Sequence, residues 1–495
     1  MPEHRPAEPT MGARPPAMRG RGRGTRDTTK GPILGALVAL AIPIVATNVL
    51  QTLYQLIDTF WVGRLGAAAV AAVSLSFPVL FLLISLGVGM TVAGAILVAQ
   101  YFGAGGDGVD HAAGQTLLVV VVISAVLTVA GTLLSGPIIS LFGPTARVGG
   151  MATTYLEISF LGMIAVFVYF VFQSLLRGVG DVRTPMIVVA CTVALNTGLD
   201  PLLIMGIGPF PRLGVAGAAW ATILAQGLAG VVGLWLLFSG RYGLHLRLRH
   251  LKPDPALIKR IVRLGVPSSL DQSMRALGIA VLMVLVARFG TTTIASYGIV
   301  SRIFSFVLIP AMGLGMATAT VVGQNVGARA NHRAEAAARI GMAASFTALT
   351  IAGVLFFLFA APVVRAFVPD APAVITGGSR FLRIMALTFG FIGIQVVMGG
   401  ALAGAGNTIA SMSLSILAFW VLRLPAAWIL SGPLGLGADG IWWAFPLSNV
   451  LAAAAAITWF LRGTWIRRVV EDRLLEAEPL AETVREEVIV EEGLE

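Results

Sequence analysis

The sequence predicts an all-α polytopic membrane protein with twelve transmembrane helices. They form two six-helix bundles related by a pseudo-twofold axis along the membrane normal. Three observations predict this. The 495-residue chain is 57% hydrophobic and 12% charged, with a mean hydropathy of +0.88, which no soluble domain of this length has. Its apolar runs are about twenty residues or longer and do not alternate as barrel strands do, so they read as spanning helices. The second half of the chain repeats the first at a nearly fixed offset.

Residues 1–32 are rich in Arg, Pro and Gly and lack apolar periodicity, so they read as a disordered basic cytoplasmic arm. The first apolar run is too long, and wrongly flanked, for a cleaved signal peptide. Helices follow at about 33–62, 68–102, 113–135, 150–176, 184–206, 212–239, 256–288, 293–326, 334–360, 377–404, 409–431 and 436–462. Basic residues concentrate in the arm, in the loop between helices 6 and 7 (Arg241, Arg247, Arg249, Lys252, Lys259, Arg260, Arg263) and after helix 12 (Arg462, Arg467, Arg468). The positive-inside rule then places both termini in the cytoplasm, as an even number of spans requires. The domain plan is an N-lobe over 33–239, a cytoplasmic inter-lobe loop over 240–255, a C-lobe over 256–463 and an acidic cytoplasmic tail over 464–495. A plasma-membrane location and a monomer are expected.

Pro43, Gly66, Gly89, Gln100 and Gly103 recur 224 residues later as Pro267, Gly290, Gly313, Gln324 and Gly327. LGVAGAAWA at 213–221 is answered by LGADGIWWA at 436–444. Six is even, so the two copies run in parallel, an arrangement found in transporters that open alternately to either side. The scaffold residues recur, but the polar ones do not: Asp58 is answered by Leu282, Asn196 by Leu422, Asp200 by Ala426 and Thr222 by Phe445. The N-lobe therefore carries a polar site of its own.

A charge at membrane depth costs about 2.5–3.5 kcal/mol, so Asp58 in the first apolar run needs a justification. Asn196 and Asp200 are four apart and share a face of helix 5. Pro201 lacks an N–H, which frees the carbonyl of Thr197. Ala218 and Thr222 are likewise four apart on helix 6, so the Thr222 hydroxyl sits beside the Ala218 carbonyl. All fall in the outer half of the membrane. Such an all-oxygen cluster suits a hard cation or a proton. A plainer reading stands beside this one: Asp200-Pro201 ends helix 5, and Asp58 is solvated and paired with Arg64. In the C-lobe, Asp271 and Arg275 are four apart and read as a local ion pair. Arg423, in mid-helix before Pro425, must face the cleft or a partner acid. Cys191, the single cysteine, reads as a small core residue, and Trp61, Trp220, Trp442 and Trp443 fit an interfacial belt at least as well as a substrate cage. No motif has enzymatic weight, no cofactor is implied, and the net charge of +10 is a topology signal that does not argue for nucleic acid.

LIDTFWVGRLGAAAVAAVSL at 56–75, LLRGVGDVRTPM at 175–186, LNTGLDPLLI at 195–204 and GVAGAAWAT at 214–222 resemble the multidrug and toxic compound extrusion (MATE) family across all twelve helices. The resemblance implies antiport: organic cations or amphipathic drugs leave in exchange for inward Na⁺ or H⁺. In the DinF-like branch the N-lobe cation site falls, by this resemblance, on Asp58, Asn196, Asp200 and Thr222. In the NorM-like branch C-lobe acids of helices 7 and 10 also matter. Here helix 10 offers Arg383 instead, and Asp271 is the C-lobe candidate, so the DinF-like branch is the better match. The alternative is a flippase for a lipid-linked saccharide, for which Arg302, Arg383 and Arg423 would supply a basic cleft.

Overall fold

A computed structural model of the chain describes residues 24–106 and 108–470. The remainder of the N-terminal arm and of the acidic tail lies outside the described residues. The described residues form helices and no strand, as hydrocarbon requires of a chain that must satisfy its own backbone.

The N-lobe comprises α1 (Ile33–Gly63), α2 (Ala67–Gly103), α3 (Val109–Ser140), α4 (Ala146–Leu161 and Met163–Gly178), α5 (Arg183–Met205) and α6 (Val215–Ser239). The C-lobe comprises α7 (Pro255–Ala287), α8 (Thr291–Gly327), α9 (Asn331–Leu358), α10 (Pro372–Ala386 and Phe389–Gly404), α11 (Thr408–Ser431) and α12 (Ala438–Leu461). The sequence reads α4 and α10 as continuous, but each is bent, by 51° and 57° respectively. Gly162 marks the first bend, where the Ile223 side chain of α6 fills the space a Cβ would need. Apolar periodicity does not register such a break.

The repeat extends to backbone angles. Gly66 and Gly290 precede α2 and α8 at φ +98° and +88°, both with ψ 175°. This left-handed conformation favours glycine, which is why the sequence retains it in both halves.

Each lobe has a core, and that of the N-lobe takes in Leu257, Ile261 and Leu264 from the start of α7. Leu97, Leu156, Phe160, Phe167 and Phe172 fill the N-lobe, and Tyr297, Phe381, Phe389 and Trp442 fill one half of the C-lobe. Trp442 is buried and stacks on Phe381 at 4.1 Å. Cys191 is exposed on α5 rather than in the core. A third core crosses the lobes. Leu37, Leu40, Ala41 and Ile44 of α1 pack with Val321 and Val322 of α8, Ala338 of α9 and Val397 of α10. The first half of α1 is thus anchored in the opposite lobe, and its second half belongs to its own.

The lobes close on each other at the end that carries the basic segments. Gln100 Nε2 donates to the Gly404 carbonyl at 3.1 Å, and its repeat mate Gln324 donates to the Gly178 carbonyl at 3.1 Å. A Cβ on Gly103 would lie 1.8 Å from the Gln324 carbonyl oxygen, and one on Gly327 1.9 Å from that of Gln100. Contact continues to mid-depth at Ser85–Ser273, 2.7 Å apart, and at Gly313 against Val45. Beyond that, Leu53, Gln55, Leu56, Thr59, Phe60 and Arg64 of α1 are all exposed. This arc covers about half of the helix circumference and includes the polar residues Gln55, Thr59 and Arg64.

Two straps staple the closed end. Residues 24–32, expected within a disordered arm, lie on the α4–α5 turn: Arg26 N–H donates to the Val179 carbonyl. Buried Thr28 donates through its N–H and hydroxyl to Oε1 of Gln324, at 3.0 and 2.8 Å. At the other terminus, Arg467 N–H donates to the Ala405 carbonyl on the α10–α11 turn, and Val469 N–H donates to Oε1 of Gln100 at 2.8 Å. Trp465 is fully buried. The inter-lobe loop is pinned to α3: Gln115 Nε2 donates to the carbonyls of His250 and Lys252, and His111 Nε2 lies 3.0 Å from Asp254 Oδ2.

Candidate cation site

The N-lobe residues singled out in the sequence meet where α1, α5 and α6 pack together. Asn196 and Asp200 are fully buried on α5, one turn apart, and Asn196 Nδ2 donates to Asp200 Oδ1 at 3.2 Å. Pro201 lies within the helix immediately after Asp200, so the Thr197 carbonyl has no amide to receive. Asp58 comes from the second half of α1 and is half-buried. Asp58 and Asp200 lie near enough to interact electrostatically with each other, and each with Tyr54 and Tyr155.

Three oxygens stand out. Asp58 Oδ1, Asn196 Oδ1 and Asp200 Oδ2 are all shielded from solvent without a hydrogen-bond partner among the described residues. Buried polar atoms are nearly always bonded, and an unbonded one costs about 1–3 kcal/mol. Three in one cluster, two of them on acids, form a set of acceptors for which the described residues supply no donor.

Arg64 does not provide it. Its guanidinium lies over the rings of Phe60 and Trp61, at 5.0 and 5.4 Å. The plainer pairing of Asp58 with Arg64 is therefore absent among the described contacts. Thr222 accepts a hydrogen bond from the Tyr54 hydroxyl at 2.9 Å. No bond joins Thr222 to the carbonyl of Ala218, which is fully buried. Tyr54 and Tyr155 were not anticipated. Tyr54 lies four residues before Asp58, a spacing that could have flagged it; Tyr155 is distant in sequence and carries no such signal.

The C-lobe interior differs. Arg275 Nε donates to Asp271 Oδ1 at 3.0 Å, as the spacing predicts, and Arg275 Nη2 donates to Ser415 Oγ at 2.5 Å. Arg423 ends a π-helical stretch of α11, Leu417–Arg423. It is buried and donates to Ser448 Oγ at 3.0 Å and Asn449 Oδ1 at 2.6 Å. The rings of Phe419 and Phe445 lie 4.3 and 4.7 Å from its guanidinium carbon. An acid partner was one of its two expected surroundings; neutral oxygens and aromatic faces take that place. The unpaired acids of one lobe are thus matched by a cation in the other.

Donors of this kind, all oxygen with two carboxylates, fit a proton or a hard monovalent cation. Among the described residues, no group of three or more His, Cys, Asp or Glu side chains could hold a metal ion.

Two parallel six-helix lobes joined at the basic end, with shielded carboxylate oxygens on Asp58 and Asp200 in one of them, define a two-lobed membrane transporter. The MatE family model matches residues 43–202 and again 267–429. With one match in each lobe, the chain belongs to that family, the MATE transporters. It is 30% identical to "Probable multidrug resistance protein YoeA" of Bacillus subtilis over 427 residues, covering 85% of this chain and 92% of that protein. It is 26% identical to an "FAD transporter" of Shewanella oneidensis, covering 86% and 93%. Among solved structures, it is similar to an "outward-facing conformation of a multidrug resistance MATE family transporter of the MOP superfamily". The TM-score is 0.82 at 27% identity, over 90% of this chain and 99% of that one.

Proposed function

We propose that the protein is a plasma-membrane antiporter that exports organic cations or amphipathic drugs in exchange for inward Na⁺ or H⁺. Asp58, Asn196, Asp200 and Thr222 form its coupling-ion site. The observation that carries this reading is the trio of buried, unpartnered oxygens on Asp58, Asn196 and Asp200. The basic end faces the cytoplasm by the positive-inside rule.

Helix α1 is the link between ion and gate. Its second half carries Asp58, its first half sits in the core shared with the C-lobe, and its strap precedes it directly. An ion arriving from outside neutralises the mutual repulsion of Asp58 and Asp200 and draws the second half of α1 toward α5. The resulting strain reaches the strap on Gln324. The ion shifts the equilibrium only by the difference in its affinity for the two states. Efflux of a fluorescent cation from proteoliposomes, under imposed Na⁺ or pH gradients in turn, tests the reading. Efflux driven by neither gradient would overturn it.

A second reading, transport of an anionic or phosphate-bearing substrate such as a lipid-linked saccharide, is favoured by buried Arg423 with its neutral partners. The relative described as an FAD transporter fits the same chemistry. Complementation of a drug-sensitive, efflux-deficient strain separates the two, since only the first reading predicts rescue.

A further inference from the structure

Arg177 lies in the last turn of the second half of α4, one residue before Gly178, whose carbonyl Gln324 holds. Its own carbonyl accepts the Thr320 hydroxyl of the opposite lobe at 3.3 Å. The backbone here therefore belongs to the closed gate. The side chain does not. Helical side chains lean toward the N-terminus of their helix, so the guanidinium turns back into the N-lobe, where it interacts electrostatically with Tyr169. No carboxylate and no hydrogen-bond acceptor among the described residues takes it. We propose that Arg177 is the electrostatic barrier that stops the coupling cation from leaving the N-lobe site through the closed end.

A tract of polar groups connects this charge to the acids. Thr192, Asn196 and Asp200 stand one turn apart along one face of α5, and Tyr169, Gln173 and Arg177 do so along α4. Tyr169 joins the two rows, because it also interacts with Thr192. Tyr54, within reach of Asp58 and Asp200, packs against the cluster that Tyr169 forms with Val189 and Val193. On α6, Gln226 follows Thr222 by one turn. Gly230, one turn further, lies against the Tyr169 backbone, where a Cβ would come within 3.5 Å of the nitrogen. Gln173 is 1% exposed. Its Nε2 and the Oε1 of Gln226 are shielded from solvent, and the described residues supply no partner for either. Each offers a bond that the fold does not use, which suits the passage of an ion with its water. The repeat shows that the scaffold does not need these side chains. With Gly178 matched to Gly404, Arg177 is answered by Ala403, Gln173 by Gly399 and Thr192 by Ala418. The C-lobe turn makes the same gate contact, Gln100 to the Gly404 carbonyl at 3.1 Å, with alanine in the place of arginine.

A charge within a membrane-spanning helix and without a counter-ion is costly to keep. Its field also reaches far, because the interior screens it weakly. A cation that left Asp58 and Asp200 toward the basic end would meet this fixed positive charge at the last turn of α4. Thr320 and Gln324 pin Arg177 and Gly178 to the opposite lobe, so the charge is held in place only while the lobes are joined. Parting them frees the turn and lets the guanidinium swing out of the tract. The barrier and the gate thereby move together, and the ion leaves inward only in the conformation that opens the basic end. This role rests on the coupling-ion reading of Asp58 and Asp200.

The full-length parent, in proteoliposomes, is first assayed for efflux of a fluorescent cation under Na⁺ and pH gradients in turn. The ion that drives efflux is then followed without any drug, as entry of radioactive sodium or with a trapped pH dye. Arg177→Ala installs the side chain that the repeat carries at position 403, and it is expected to raise drug-free entry of that ion about tenfold or more. Arg177→Lys keeps the charge and is expected to stay near the parent's rate. Adding Asp58→Asn to Arg177→Ala is expected to return entry to the parent's rate, because the leak runs through the acids. Entry through Arg177→Ala no faster than through the parent, equally fast entry through Arg177→Lys, or a leak that Asp58→Asn leaves undiminished overturns the barrier. So does an Arg177→Ala chain that melts far below the parent, which would make the residue structural. A parent whose efflux follows neither gradient overturns the coupling-ion reading and the barrier with it. A parent that couples normally, beside an Arg177→Ala variant that does not leak, overturns the barrier alone.

Discussion

The side-chain amide of Asn196 holds only one oxygen of Asp200, at 3.2 Å, and leaves the other buried and unbonded. A carboxylate kept in that condition destabilises the resting protein. Replacing it should therefore separate stability from function. Asp200→Asn is expected to raise the melting temperature, by about 1 kcal/mol of stability, and to lose most ion-driven transport. Asn196→Ala is expected to weaken the coupling ion about tenfold at little cost in folding. Unfolding curves paired with gradient-driven efflux check both. A fall in stability for Asp200→Asn would mark the acid as structural.

The closed gate rests on two glutamines that occupy equivalent places in the repeat. Truncating either one orphans a backbone carbonyl, Gly404 for Gln100 and Gly178 for Gln324, and also frees a strap. Gln100→Ala and Gln324→Ala are each expected to lengthen the distance between labels at positions 104 and 328, with the double variant changing most. Gly103→Val should do the same, because its side chain has no room against the Gln324 backbone. Pulsed electron resonance distances identical to those of the parent protein would show that the straps do not hold the gate.

Arg423 satisfies two neutral oxygens and lies against two aromatic rings. Arg423→Met removes the donors and leaves Ser448 and Asn449 without them, a loss of about 2–3 kcal/mol. Arg423→Lys keeps the charge without the planar fork and should fall between the two. Intrinsic fluorescence during heating reads the order directly, and a methionine variant as stable as the parent would exclude the role.

The inter-lobe loop carries a pH-sensitive fastening. The His111 hydrogen bond, and then the backbone N–H of Leu257, hold the Asp254 carboxyl below its ordinary value. A depressed carboxylate contributes stability that is fully present above its unfolded value, about 3.9. That contribution disappears as the pH falls through the lower folded value. Proteolysis of the loop should therefore accelerate in acid below about pH 4, and Asp254→Asn should cleave at that faster rate already at neutral pH. A variant with the parent's pH profile would refute the assignment.

Much of this arrangement was readable from the sequence, for identifiable reasons. Spanning helices declare themselves by length and composition, and the repeat exposes the scaffold glycines because only glycine tolerates the angles at Gly66 and Gly290. Comparison of the halves also exposed Asp58, Asn196, Asp200 and Thr222, because they break the repeat. The bends in α4 and α10 were not readable, since a helix broken at Gly162 remains apolar on both sides. Tyr155 and the partners of Arg423 depend on tertiary approach, which spacing does not encode. The straps were hidden by composition: an Arg-, Pro- and Gly-rich segment reads as unstructured, although Thr28 is buried against Gln324.

The central claim is that Asp58 and Asp200 couple an ion to transport rather than support the fold. The most direct test compares two rates for Asp58→Asn in proteoliposomes: gradient-driven efflux of a fluorescent cation, and substrate exchange with no gradient. Efflux driven by Na⁺ or pH gradients is expected to be lost while exchange persists. Gradient-driven efflux at the parent rate, or equal loss of both, would contradict it.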